Sequence, residues 1–199
     1  MAGVASNKKT DRKQQILHEA AHGFMQHGYT GTSMRSLAAA LGMEAPSLYN
    51  HIKGKQELLR QICFGVAHRF MAQLTIVEQS EASIPQKIEL ILRFHVQQMQ
   101  QHFAAVYVSN RDWKHLQAPH LADFLQIRRQ YEGRLASMVE AGVHSGLLQP
   151  IDSRVAVLGM LSAIRAVEVW KKHPAQLSPQ RFEDNLVQLL VCGLVAPTK

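Results

Sequence analysis

Two cysteines in 199 residues, Cys63 and Cys192, are too few and too far apart in the chain for a disulfide-stapled scaffold. Both lie inside apolar helical patterns, which predicts two reduced, buried thiols in a cytoplasmic protein. No run approaches the ~18 uninterrupted apolar residues of a membrane span, so no membrane partner is expected. The stretch from Met1 to Lys13 is polar and basic and lacks the apolar core of a signal peptide, which argues against export. No alternating strand pattern, internal repeat or low-complexity tract occurs. Acidic residues are the scarcer charge, 15 against 22 Lys and Arg, for a formal net charge of +7. A hydrophobic fraction of 46% with 19% charged residues excludes a disordered chain and leaves a soluble globular one.

The positive charge is uneven. Residues 1–60 carry 8 Lys and Arg against 4 Asp and Glu, and the remaining 139 residues carry 14 against 11. A basic N-terminal third suits a polyanionic partner, because each phosphate contact releases condensed counterions.

What is present is helix. Ile16, Leu17, Ala20, Ala21 and Phe24 form one apolar stripe, with Asp11 near the helix start and Gly28 as a left-handed stop. Thr32-Ser33 caps a short second helix bearing Met34, Leu37, Ala38 and Leu41, ended by Gly42. A third opens at Ala45-Pro46, where proline loses no intrahelical bond, and carries Leu48, Tyr49 and Ile52 before Gly54. Longer helices are expected over residues 55–78, from Ser83-Ile84-Pro85 to about Gln101, around Val106 and Tyr107, over 121–144, 153–172 and 179–194. Trp113 to Pro119 reads as a loop, and His173-Pro174 separates the last two helices. The expected fold is all-α with about nine helices, divided into residues 1–54 and 55–199.

Two short helices joined by a glycine-containing turn make a helix-turn-helix, whose second helix enters the DNA major groove. Ala38 is small where the two helices cross, and Gly42 takes a turn conformation that a Cβ resists. The exposed face of the second helix presents Ser47, Tyr49, Asn50 and His51, followed by Lys53 and Lys55. Lys55 opens the next helix, where its charge and the free N–H groups can both grip a phosphate.

Residues Arg12 to Leu59 resemble the DNA-binding domain of TetR-type repressors. The resemblance is carried by Ile16-Leu17, Ala20-Ala21, Phe24, His27-Gly28-Tyr29, Thr32-Ser33-Met34-Arg35, Leu37-Ala38, Leu41-Gly42, Ser47-Leu48-Tyr49, His51, Lys53-Gly54-Lys55 and Glu57-Leu58-Leu59. It implies that Tyr49 and Lys55 touch phosphates, joined by Thr32 or Ser33 and by His51. It also implies that Arg35, Ala45, Pro46, Ser47 and Asn50 read base edges. Glu44 stands where the family favours a Ser or Thr cap, and Ile52 replaces the common Phe.

His18-Glu19-Ala20-Ala21-His22 matches HExxH, the pattern that puts two imidazoles and a general base on one helix face of a zinc hydrolase. Both histidines fall opposite the apolar stripe, and the unit offers neither a third ligand nor a cleft. The expectation is no metal, no cofactor and no enzyme.

The TetR resemblance implies that the longer helices form a ligand-binding and dimerisation domain. In the last two, Gly159, Ala163 and Ala166, then Phe182, Leu186, Leu189 and Gly193, set small residues among large ones, as in a four-helix interface between two chains. A homodimer would place two recognition helices on a palindromic double-stranded operator. Phe94, Met99, Phe103, Tyr107, Trp113, Phe124, Arg128, Tyr131 and Trp170 are candidates for a ligand pocket, with Arg129 beside them. Arg128-Arg129-Gln130-Tyr131-Glu132, then Gly142, Gly146, Asp152 and Trp170, resemble more loosely the TetR branch that senses acyl-CoA and other CoA thioesters. The effector implied is a small apolar molecule, a fatty acyl group or another CoA thioester. The rival reading is a DNA-binding dimer that senses no small molecule.

Overall fold

The computed structural model describes residues 2–172 and 177–196, without the side chains of residues 2–10. Among them lie ten α-helices: α1 (Ala2–Gly31), α2 (Met34–Ala40), α3 (Ala45–Tyr49), α4 (Lys55–Gln79), α5 (Ile84–Gln101), α6 (Phe103–Arg111), α7 (His120–His144), α8 (Ser153–Ile164), α9 (Ala166–Lys172) and α10 (Pro179–Cys192). A single isolated bridge, Leu148 to Val195, is the only extended pairing among the described residues. The all-α class read from the sequence is the class observed.

Some boundaries differ. α1 begins at Ala2, so Asp11 sits inside the helix rather than at its positive end. Trp113–His115 is a 3-10 turn, not a loop. The helix expected over 153–172 is two, parted at Arg165, which caps α8. His173-Pro174 lies outside the described residues. The chain forms two compact units, residues 1–68 with 103–126, and residues 69–102 with 127–199. The boundary expected after residue 54 falls inside the first of these. α4 and α7 each run from one unit into the other.

In the first unit the α1 stripe of Ile16, Ala20 and Phe24 packs on Leu37 and Ala38 of α2 and Leu48 of α3. Leu58 and Leu59 of α4, Val108 of α6 and Phe124 of α7 complete that core. These side chains are almost wholly removed from water, each apolar one contributing about 1.5–3 kcal/mol. α1 bends at Gly28, whose φ of 73° and ψ of 160° belong to a region essentially confined to glycine. The break is thus not the left-handed helical cap expected, but it serves the same end of stopping the helix.

In the second unit α5 packs against α8, α9 and α10, burying Ile88, Ile91, Leu92 and Val96. Gln86 closes the start of α5, its Oε1 accepting from both Ser83 N–H and Ser83 Oγ at 2.9 Å. Arg93 ties α5 to α10 through Asp184 at 2.7 Å, and its guanidinium holds that carboxyl below the usual carboxylate range. Arg134 of α7 pairs with Glu78 and donates to Thr75 on α4. No helix among the described residues is long and apolar enough to cross a membrane.

Candidate nucleic-acid interface

Two serines fix the start of α2. Ser33 Oγ accepts from Ser36 N–H at 3.0 Å, while Ser36 Oγ accepts from Ser33 N–H at 3.1 Å, so two otherwise unpaired donors are satisfied. The turn that follows, residues 41–44, is held by Met43 N–H donating to Ala38 O at 3.0 Å, with Gly42 at φ 62°. Arg12 of α1 reaches the same turn, donating to Leu41 O at 3.4 Å. α3 then starts on Pro46 with Glu44 as N-cap, and the Glu44 side chain makes no capping bond. That is the weak start expected from a glutamate at this position.

Leu48 and Ile52 anchor α3 in the core. The opposite face looks outward. Tyr49 is 53% exposed, and Pro46, Asn50, Arg35, Ser33 and Lys53 are also exposed, while Ala45, Ser47 and His51 are half-buried. Hydrogen-bonding side chains and two exposed cations, Arg35 and Lys53, therefore stand with two carboxylates, Glu44 and Glu57, the latter accepting from Lys53 N–H at 2.7 Å.

Two residues expected at that surface are placed elsewhere. Thr32 is only 3% exposed, its hydroxyl set against the carbonyls of Gly23 and Gly28 at 3.0 and 2.9 Å. It braces the α1 break and has no hydroxyl left for a phosphate. Lys55 Nζ donates to the Tyr29 and Thr32 carbonyls at 2.7 and 2.8 Å and lies 4.4 Å from the Tyr29 ring centre. Its charge closes the end of α1 instead of pointing at solvent. Lys53, two residues earlier, is exposed.

The sequence reading missed the group beside it. His115 stacks on Tyr29 with ring centres 5.2 Å apart and planes 20° apart. Gln56 Nε2 donates to Tyr29 Oη at 2.7 Å and to His115 O at 2.9 Å. Burial pushes the Tyr29 hydroxyl up from its ordinary pKa. The only signal for this cluster was Tyr29, an aromatic with a polar tip that needs a partner when buried.

His18 and His22 lie side by side with ring centres 4.5 Å apart. Among the described residues no group of three or more His, Cys, Asp or Glu is placed to hold a metal ion.

Residues 16–62 match the family described as bacterial regulatory proteins, tetR family. Residues 81–194 match the tetracyclin repressor-like, C-terminal domain. The chain belongs to the TetR family of transcriptional regulators.

The HTH-type transcriptional repressor KstR2 of Rhodococcus jostii RHA1 is 21% identical to this TetR-family chain over 191 residues, 95% of this chain and 94% of that one. The solved structure of the ketosteroid transcriptional regulator KstR2 of Mycobacterium tuberculosis superposes with a TM-score of 0.86 at 18% identity, over 94% of this chain and 96% of that one. AibR, solved in complex with isovaleryl coenzyme A and operator DNA, gives 0.80 at 25% identity, over 90% and 98%. Members of this family are DNA-binding regulators, not enzymes.

In this TetR-family regulator the residues expected to line a ligand pocket are divided between the two units. Phe103, Tyr107, Trp113 and Phe124 belong to the first unit. There Phe124 is core, packed on Phe64, and Tyr107 accepts from Arg111 at 2.7 Å. Phe94, Met99, Arg128, Tyr131 and Trp170 belong to the second. Met99 is buried, Arg128 faces Glu132 at 3.8 Å, and Phe94 packs on Phe70. A water-sized cavity in the second unit is lined by Ile88, Ile91, Leu92 and His95 of α5, Leu135, Met138 and Val139 of α7, and Met160 and Leu161 of α8. Tyr131 touches it only through His95, whose Nε2 lies 2.7 Å from the Tyr131 hydroxyl.

The small-residue face fares differently. Gly159, Ala166, Leu189 and Gly193 are exposed, Ala163 and Leu186 are half-buried, and Phe182 is turned inward to stack on Trp170 at 4.9 Å. Three larger residues not singled out from the sequence, Val155, Leu158 and Val169, share the outward face of α8 and α9. Cys192, expected to be buried, is exposed on α10, while Cys63 is buried as expected.

Proposed function

We propose that this regulator is a ligand-responsive repressor that binds a palindromic operator as a homodimer and is released by a small apolar or acyl-CoA-like effector. The observation that carries the dimer is an apolar helix face open to water within the single chain. Leu158 of α8 is 69% exposed and Leu189 of α10 70%; Val155 and Gly159 lie on the Leu158 face of α8 by helical spacing, and Ala166 and Val169 of α9 are exposed as well. Large side chains spaced by small ones suit close helix packing against a second copy.

Two copies would present two α3 helices about one DNA turn apart. Tyr49, Lys53 and Ser33 are then positioned for phosphates, and Arg35, Pro46, Ser47 and Asn50 for base edges. An effector favouring a different separation of the two helices draws the population off DNA. AibR, solved with isovaleryl coenzyme A and operator DNA, supports an acyl-CoA effector, as does the looser likeness of Arg128 to Trp170 to the CoA-thioester branch.

The test uses the intergenic DNA beside the gene. Sedimentation of protein with the shortest bound fragment is expected to give two chains, or a multiple of two, per site. Isovaleryl-CoA and longer acyl-CoA thioesters are then titrated in, with DNA release expected. One chain per site overturns the dimer. Operator binding indifferent to every thioester and apolar acid tried leaves a DNA-binding dimer without a small-molecule sensor.

A further inference from the structure

α1 carries a pair of side chains that the recognition surface does not use. His18 and His22 stand at i and i+4, so both imidazoles rise from the same face of the helix, one turn apart. Their ring centres are 4.5 Å apart and their planes 45° apart. His18 is exposed and His22 half-buried, so water and ions reach the pair. Apart from this ring contact, neither imidazole has a partner among the described residues. The other described histidines in ring contacts meet Tyr29, Phe64, Phe70 or Tyr131, never a second imidazole.

The separation has a chemical meaning. A metal bound to an imidazole nitrogen at about 2.0–2.1 Å lies about 3.2 Å from the ring centre. Two such rings with centres 4.5 Å apart subtend an angle of about 90° at a shared ion. The tetrahedral angle of a zinc site would set the centres about 5.2 Å apart. A right angle is the cis angle of square-planar, tetragonal and octahedral coordination, the first two being geometries of Cu2+ and Ni2+ with nitrogen and oxygen donors. Imidazole suits both ions, and Cu2+ stands at the top of the divalent affinity order. Water fills the remaining positions, since among the described residues no third His, Cys, Asp or Glu joins the pair.

We propose that His18 and His22 chelate a late first-row divalent cation, Cu2+ ahead of Ni2+, as a two-histidine clip on α1. These residues are the ends of the HExxH pattern, but two ligands on a helix face open to water hold an ion without a cleft for a substrate. What the ion alters is the helix. It ties residues 18 and 22 together only while α1 is helical, so binding favours the folded unit. Ile16, Ala20 and Phe24 of the same helix carry the core on which α2 and α3 rest. The stability of the DNA-reading unit thereby comes to depend on the cation.

The full chain is titrated with CuCl2 and with NiCl2 by calorimetry, beside His18→Asn, His22→Asn and the double variant. Asparagine suits an exposed helical position, and circular dichroism checks that helix content is kept. The tightest Cu2+ site of the wild type is expected to show hyperfine splitting from two imidazole nitrogens in EPR. Each single variant is expected to weaken that site at least about tenfold, because a chelate is reduced to one ligand. NiCl2 at about a hundred times its Kd is expected to raise the Tm of the wild type by about 5 °C and to leave the double variant unmoved. In metal-free buffer all three variants are expected to bind operator as the wild type does, which separates this site from DNA reading. A double variant that binds Cu2+ as tightly as the wild type overturns the proposal. So does a single variant that keeps full affinity, or an equal rise in Tm with and without the two histidines.

Discussion

Lys53 and Lys55 are two residues apart, yet the first is exposed and the second half-buried. Lys53 is exposed, whereas the Lys55 ammonium is committed to the carbonyls of Tyr29 and Thr32. Lys53→Ala is therefore expected to weaken binding to all DNA sequences and to lower the slope of log K against log salt by about 0.9. Lys55→Ala is expected to leave that slope unchanged and to cost about 1.5–3 kcal/mol of folding stability, because it strips a charged donor from half-buried carbonyls. Salt titrations of operator binding, paired with urea unfolding, check both; a slope that drops only for Lys55→Ala would reverse the assignment. His95 makes a second prediction at this scale. In the unfolded chain its imidazole takes a proton below about pH 6.5, but in the folded chain only near pH 3. Its contribution is complete above pH 6.5 and is lost as pH falls through that window, by about 3 kcal/mol at pH 4. Urea unfolding from pH 7.5 to 4 is expected to show this slope in the wild type and to lose it in His95→Leu. Parallel curves for the two proteins would mean the imidazole is protonated in the folded state.

Glycines at the ends and inside of helices separate two kinds of constraint. At Gly28 a Cβ would meet nothing within 4 Å, but the backbone sits at φ 73°. Gly28→Ala is expected to cost about 1–3 kcal/mol through the backbone alone. Gly142 in α7 has room for no Cβ, which would lie 2.6 Å from Leu148 Cδ1 and 2.9 Å from Ile84 Cγ2. Alanine gains about 1 kcal/mol of helix propensity there and loses about 1–3 to overpacking, so a small net destabilisation is expected. Thermal unfolding of the two variants checks both signs; a stabilised Gly142→Ala would show that Leu148 moves freely. Helices of this kind were legible because the 3.6-residue apolar period is strong, and the helix-turn-helix because its caps and turn glycine are local signals. Other features were hidden for physical reasons. Arg165 ends α8 without a glycine or proline to mark it. Thr32 and Lys55 look like surface groups until the carbonyls they satisfy are seen, since those come from a bend in α1. The cavity is lined by aliphatic residues such as Ile88 and Leu135, whose spacing is that of any core face. Of the aromatics expected in a pocket, Trp170 stacks on Phe182 and Phe94 packs edge-on against Phe70.

For the molecule as a whole, the dimer decides whether the recognition surface can read a palindrome. α8 is apolar on nearly every side, so periodicity alone could not tell the buried Val157 and Met160 from the exposed Val155 and Leu158. Gly159 and Ala166, the small residues singled out from the sequence, are exposed. Each exposed leucine that becomes buried contributes about 1.5–3 kcal/mol, and two-fold symmetry counts every such residue twice. A charge at one position is therefore also felt twice. Leu158→Glu and Leu189→Glu are each expected to shift the protein to a monomer at micromolar concentration in sedimentation equilibrium. Operator affinity should fall at least about a hundredfold, because each half-site must then be held by a single recognition helix. Ile76, 61% exposed on α4, is an apolar residue off this face. Ile76→Glu is expected to leave mass and affinity unchanged, which separates loss of the α8–α10 contact from a general effect of added negative charge. If both leucine variants remain dimeric, the second copy docks elsewhere, and the spacing of the two α3 helices has to be set by a different surface.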